Sequence, residues 1–228
     1  MTTTGEAGLL RSRLNRKKTS SAVVDYVLEE LFAGRLKSGD RIDIDEVGRA
    51  LDVSRIPVRE ALVILERDGI VSTRYHRGVY VEPFDAESLL DDFEILGVLS
   101  GIAVRRLAEK PDPDAIARLQ KLIDELRMAD PDNPDELFRL VQEVLTLEHR
   151  AGGSRRLRAE LRAFTGFLPA ALHVRVGRSH KATVDAHARV VRAIVAGDGE
   201  KAAQYRLQDF RTAGRDIVRE LEHRGVLT

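Results

Sequence analysis

The stretch Asp52-Val53-Ser54-Arg55-Ile56-Pro57-Val58-Arg59-Glu60-Ala61-Leu62 constrains this chain more than any other. Ser54 stands where it would cap a helix by accepting from the first free N–H groups. Pro57 falls in the first turn, where a missing donor costs little because it has no helical partner. Val58, Ala61, Leu62 and Leu65 recur at helical spacing and predict one buried face. Arg55 and Arg59, four apart, share another face, so two forked guanidinium groups point the same way from one helix end. Such a helix presents itself to a DNA groove.

The flanks extend this reading. A first helix is predicted from near Ser20 or Ser21, with Val23, Val24, Val27, Leu31 and Phe32 inward, ending at Gly34. Asp43 and Glu46 make a capping-box pattern, followed by Val47, Ala50 and Leu51 as the buried side of a short second helix. Only Asp52 and Val53 then precede Ser54, a gap typical of a helix-turn-helix. Gly69 stops the recognition helix. Ile70-Val71-Ser72-Thr73-Arg74 and Val79-Tyr80-Val81 are β-prone runs joined by Tyr75-His76-Arg77-Gly78, which predicts a two-stranded wing with a basic tip. Pro83 breaks the last strand. Residues 1–18, with Arg11, Arg13, Arg16, Lys17 and Lys18, read as a flexible basic arm that either touches phosphates or keeps the chain soluble.

Composition narrows the function. The 37 basic and 37 acidic residues cancel, so any positive footprint is local rather than spread over the chain. There is no cysteine, hence neither a disulfide framework nor a thiolate metal site. No apolar run is long enough to span a bilayer, and the first residues lack the apolar core of a secretory signal. The expectation is a cytoplasmic protein with no membrane partner. The sequence holds no glycine-rich phosphate loop, nucleophile elbow or His-Glu-x-x-His pattern, so an enzyme is not expected. Glu29-Glu30 and Asp91-Asp92 read as solvated helix faces. A helical metal-dependent hydrolase using His149, His173 and His187 is the remote alternative.

From Asp85 onward the texture is helical. Helices are predicted from Ala86 to Lys110, Asp114 to Met128, an Asn133 cap to Arg150, a Ser154 cap to Val176, Thr183 to Ala196, and Glu200 to His223. The fold class is mainly α: an N-terminal winged helix-turn-helix over residues 19–84, then an all-α bundle of about six helices over residues 85–228.

Gly34-Arg35-Leu36, Gly39, Ser54 to Leu62, Leu65-Glu66-Arg67-Asp68-Gly69-Ile70-Val71 and Arg77-Gly78-Val79 resemble the winged helix-turn-helix of GntR-family transcription regulators. The helical part is similar to the effector-binding, dimerising FCD-type domain of the family's FadR-like branch, most sharply at Ala186-His187 and Ala193 to Asp198. The resemblance implies a ligand-responsive regulator, acting as a repressor. Arg55 and Arg59 would read bases, with Ser54 and Pro57 contacting DNA or shaping the helix start. Arg74, His76 and Arg77 would meet the minor groove or phosphates, with Gly78 permitting close backbone approach. Arg35 and Arg49 would add phosphate contacts or stay solvated. Asp45 stands where some members place a DNA-contacting arginine, so that contact is not carried over. One headgroup reads few base pairs, which predicts a homodimer on a palindromic operator.

Many members of that branch hold a divalent metal with one aspartate and three histidines. His187 matches one such position, and Asp209, 22 residues on, falls at the next. The preceding pair lands on Val141 and Leu145, which cannot ligate; His149 lies one turn later. Gly97 and Gly101 replace an arginine and a glutamate in the first bundle helix and would open space. The expectation is therefore no metal cofactor, and an effector pocket of Gly97, Gly101, Val141, Leu145, His187 and Asp209. It would take a lipid-like molecule such as a fatty acid or acyl-thioester. The alternatives are a zinc-dependent sensor of a small carboxylate, with His187, Asp209 and His149 as ligands, and an effector-free DNA-binding protein. His173 and His180, with Arg175 and Arg178, line the pocket or belong to a solvated or dimer surface.

Overall fold

Two hydrophobic periodicities, a mixed one before Asp85 and a purely helical one after it, each produce a core of their own. The computed structural model of the chain describes residues 19–67, 69–83, 85–164, 179–225 and 227, and these fall into two compact units. The expected basic arm, with His173, Arg175 and Arg178, lies outside the described residues.

In the first unit, helix α1 covers residues 19–32 and buries Val23, Val24, Val27, Leu28, Leu31 and Phe32. Strand β1 (Arg41–Ile42), α2 (Ile44–Ala50), α3 (Arg55–Arg67), β2 (Val71–Arg74) and β3 (Gly78–Val81) follow. Asp43 caps α2 by accepting from the N–H groups of Asp45 and Glu46, at 2.8 and 3.2 Å. Asp52, in the left-handed region at φ 51, turns the chain into α3. Val58, Ala61, Leu62 and Leu65 face inward as their spacing predicts.

One sequence expectation needs correction here. Ser54 stands just before α3 but accepts no hydrogen bond among the described residues. The third helical position is Pro57, which has no N–H to give. Pro57 is buried in the first turn of α3, which accords with the second of its two expected roles, shaping the helix start. The wing hairpin forms as expected, β2 pairing antiparallel with β3 from Val71 opposite Val81 to Arg74 opposite Gly78. A strand not read from the sequence joins it: the sheet order is β1-β3-β2, with Arg41 opposite Tyr80 and Ile42 opposite Val79. A strand of two residues has no periodicity to read, and β1 exists only because β3 supplies its partner.

The second unit holds α4 (Ala86–Glu109), α5 (Pro113–Met128), α6 (Pro134–Gly152), α7 (Arg155–Phe164), α8 (His180–Val195) and α9 (Gly199–His223). The punctuation does what capping chemistry requires. Asp85, Asp112, Asn133, Ser154 and Ser179 each accept from a first-turn N–H, and prolines occupy the first positions of α5 and α6. Ser179 starts α8 at His180, a turn earlier than the predicted Thr183. The helix predicted from Ser154 to Val176 is described as far as Phe164.

Helix α4 is the spine, packing against α6, α7, α8 and most extensively α9. Leu107, Leu119, Leu122, Leu126, Leu140, Val144, Val190 and Ile194 anchor a shared core. Burying a side chain of that size contributes roughly 1.5–3 kcal/mol. Gly97 and Gly101 do not open space. A Cβ on Gly97 would stand 3.0 Å from Leu207 Cδ1 and 3.1 Å from Phe210 Cβ, and one on Gly101 would stand 3.3 Å from the Ala203 carbonyl oxygen. Helix α9 fills the room that both glycines leave.

Candidate nucleic-acid interface and bundle centre

The outward side of α3 carries Arg55, Ile56, Arg59, Glu60 and Val63, all exposed. Arg55 is not loose. Its Nε and Nη2 donate to both carboxylate oxygens of Asp45 on α2, at 2.5 and 2.7 Å, and this raises the guanidinium's pKa. Both partners stay more than half exposed, so the pair is a surface clamp that orients the fork. Arg59, one turn on, is exposed and makes no ion pair among the described residues. Asp45 and Arg55 thus link the two helices of the motif on the face that the sequence assigned to DNA.

The wing tip is equally exposed. Arg74 lies over the Tyr80 ring, 4.4 Å from its centroid, and the Tyr80 hydroxyl donates to the Arg77 carbonyl at 3.1 Å. His76 sits in the left-handed region at φ 57, and Tyr75, 87% exposed, meets it edge-on. Gly78, at φ 107, allows the Arg41 guanidinium to approach: a Cβ there would stand 2.8 Å from Arg41 Nε. The Thr73 N–H donates to Glu66 at 2.8 Å, which ties β2 to α3. Arg35 pairs with Glu30 through two hydrogen bonds of 2.8 and 2.7 Å, while Arg49 is exposed. Ser54, Arg55, Arg59, Arg74, His76, Arg77 and Gly78 therefore lie on accessible surface of one unit. Sequence reasoning missed Ile56, Val63 and Tyr75, whose signal is a large apolar or aromatic side chain at a position facing away from the core.

The residues expected to line an effector pocket fall into three settings. Gly97 and Gly101 pack against α9. Val141 packs onto the apolar core and Leu145 is buried. His187 and Asp209 join a buried ionic centre with two residues that sequence reasoning missed, Glu148 on α6 and Arg206 on α9. Arg206 Nη2 donates to both Glu148 oxygens, at 2.6 and 2.7 Å. Its Nη1 donates to Asp209 Oδ2 at 2.9 Å and to His187 Nδ1 at 3.2 Å. A guanidinium only donates, so His187 Nδ1 accepts and the ring proton sits on Nε2, 3.9 Å from Asp209 Oδ2. Both Glu148 and Arg206 are fully buried. Burial pushes the Glu148 carboxyl above its ordinary value, and the Arg206 charge pulls against that rise.

A legible signal for this centre existed. Glu148 interrupts the inward stripe of Leu140, Val144 and Leu145, and Arg206 interrupts that of Ala202 and Phe210. Opposite charges on two apolar stripes mark a buried pair. His149 points elsewhere: its Nε2 lies 2.8 Å from Ser100 Oγ on α4, and burial lowers its pKa to about 4. Of the three histidines in the remote hydrolase reading, His149 meets Ser100 and His187 meets Arg206, while His173 lies outside the described residues. His180 is no solvated bystander; its Nε2 lies 2.8 Å from the Leu126 carbonyl oxygen at the end of α5. No helix among the described residues is long and apolar enough to cross a membrane.

Comparison with known proteins places these features. Residues 19–81 match the bacterial regulatory proteins of the gntR family, and residues 91–210 match the FCD domain. An HTH-type transcriptional regulator of Mycobacterium tuberculosis is 47% identical over 110 residues, 48% of this chain and 45% of that one. The Nta operon transcriptional regulator of Aminobacter aminovorans is 30% identical over 107 residues, 47% of this chain and 51% of that one. The chain thus spans about half the length of the curated relatives it matches. Among solved structures, E. coli McbR/YncC shares the fold with a TM-score of 0.66 at 20% identity, covering 88% of this chain and 97% of that one.

Proposed function

Because the chain belongs to the GntR family of bacterial regulatory proteins, with an FCD domain behind its winged helix-turn-helix, we propose that it is a repressor that binds a palindromic operator as a homodimer. The family and the relatives are regulators of transcription, not enzymes. The observation that carries the reading is the joint exposure of Arg55, Arg59, Arg74, His76 and Arg77 on one small unit of a chain whose net charge is zero. In the major groove an arginine fork donates to guanine O6 and N7, each such pair supplying on the order of 1–3 kcal/mol of discrimination. The wing adds phosphate and minor-groove contacts that fix register.

Arg59→Ala tests it. Operator affinity, read by fluorescence anisotropy at fixed salt, should fall at least tenfold while the helical content stays that of the parent. Equal affinity for mutant and parent would sink the assignment.

The bundle's input, in this reading, is a small molecule with apolar surface such as a fatty acid or acyl-thioester. Its support is the sequence alone, which by resemblance puts the apolar Val141 and Leu145 where members of the branch carry metal ligands. In the structure Val141 packs on the bundle core, Leu145 is buried, and α9 lies against Gly97 and Gly101. A ligand that favours one of two arrangements of the headgroups would couple to DNA affinity by a reciprocal free energy. A thermal-shift screen of acyl-thioesters, fatty acids and small carboxylates checks the class. Stabilisation by carboxylates alone, and only with zinc, would favour the metal-dependent alternative.

A further inference from the structure

An imidazole, His187, and two carboxylates, Glu148 and Asp209, come from α8, α6 and α9 and converge on one buried point. Side chains of these kinds ligate divalent cations, but among the described residues no three of them stand close enough together to hold one. That point is already held by the Arg206 guanidinium, with no part of the side chain exposed. The lone pair of His187 Nδ1 and one oxygen of Asp209 are both spent on Nη1, and both Glu148 oxygens on Nη2. Val141 and Leu145, where the resemblance implies two further ligands, are apolar and packed on the core, and His149 is turned to Ser100. The residues present do not fit a metal.

We propose that Arg206 is the resident cation of the bundle centre: its guanidinium does internally what a divalent metal does in related domains, joining α6, α8 and α9. The bundle then folds without metal and does not take metal as its input. A fixed, always-charged fork suits this place better than an ion because it supplies its own positive charge and directed donors to three helices. One donor, Arg206 Nε, is buried without a hydrogen-bond partner among the described residues.

The test is a metal titration of the full chain and its Arg206 variants, independent of DNA binding. Purified without chelator, the parent should carry no stoichiometric metal by mass spectrometry, and neither zinc nor EDTA should move its Tm. Arg206→Ala should lower Tm and expose Glu148, His187 and Asp209 to solvent. Zinc at about a hundredfold over its Kd should then raise the variant's Tm by roughly 5–10 °C, reversed by EDTA. Arg206→His, which puts a fourth donor at the same point, covers the case in which the alanine variant does not fold. One tightly held ion per parent chain, an EDTA-dependent parent Tm, or no zinc response from either variant would each overturn the proposal.

Discussion

Asp45 shows how one side chain can set the character of an interface. Its carboxylate lies on the face assigned to DNA and holds the Arg55 fork by two hydrogen bonds. Near a phosphate backbone the carboxylate repels, yet it orders a long side chain that would otherwise lose entropy on binding. Asp45→Ala should therefore raise affinity for random DNA and steepen the dependence of log K on log salt by about one unit, with a smaller operator-to-random ratio. Salt-dependent anisotropy on both DNAs reads this; an unchanged ratio would deny Asp45 an orienting role. His149 makes a second prediction at this scale. Its folded pKa is depressed to about 4 from an ordinary 6.5, so the unfolded chain takes up a proton that the folded chain refuses. The stability tied to the neutral ring is present above pH 6.5 and is lost as pH falls toward 4, with about 2 kcal/mol going between pH 7 and pH 5. His149→Gln keeps a partner for Ser100 but does not titrate. The stability gap between parent and variant, from urea unfolding, should narrow by that amount over the same interval.

Helix α4 carries the argument at the scale of elements. It lies against α9 so closely that Gly97 and Gly101 meet Leu207, Phe210 and Ala203 where larger side chains would need room. If those glycines lined an open pocket, Gly97→Leu would leave stability unchanged or raise it, since glycine in a helix interior costs roughly 0.5–1 kcal/mol relative to alanine. Packed as they are, the added side chain overfills the contact and should destabilise the bundle by roughly 1–3 kcal/mol. Thermal unfolding of the full chain distinguishes the two signs. Between α6, α8 and α9 the Arg206 centre does different work, exchanging apolar contact for fixed ionic geometry. Removing one partner of such a pair leaves an uncompensated buried charge, at a cost of roughly 3–5 kcal/mol.

For the whole molecule, the division into a DNA-facing unit and a helical unit, each with its own core, lets one be altered without dissolving the other. A single headgroup with a few reading side chains covers too little DNA to be specific, so the regulator should act as a pair. Sedimentation equilibrium should give twice the 25.5 kDa chain mass, and footprints should show two half-sites whose centres lie one helical turn, or a multiple of it, apart. A chain that stays monomeric on a single half-site would contradict the symmetric arrangement.

What residues within a turn or two of each other decide was legible in the chain. Caps at Asp43, Asn133 and Ser154, the inward stripe of α3 and the glycine-bearing turn of the wing all follow from local chemistry, which acts in the same way whatever the rest of the chain does. The tertiary structure alone decided the pairings that span long separations. Arg41 and Ile42 become a strand because Tyr80 and Val79 are there. Gly97 becomes a contact rather than an opening because α9 lies over it. Arg206 becomes the centre's cation because Glu148, 58 residues earlier, reaches the same point. Periodicity tells which way a side chain faces, but only packing settles what it meets there, and charge buried between helices is a matter of what it meets.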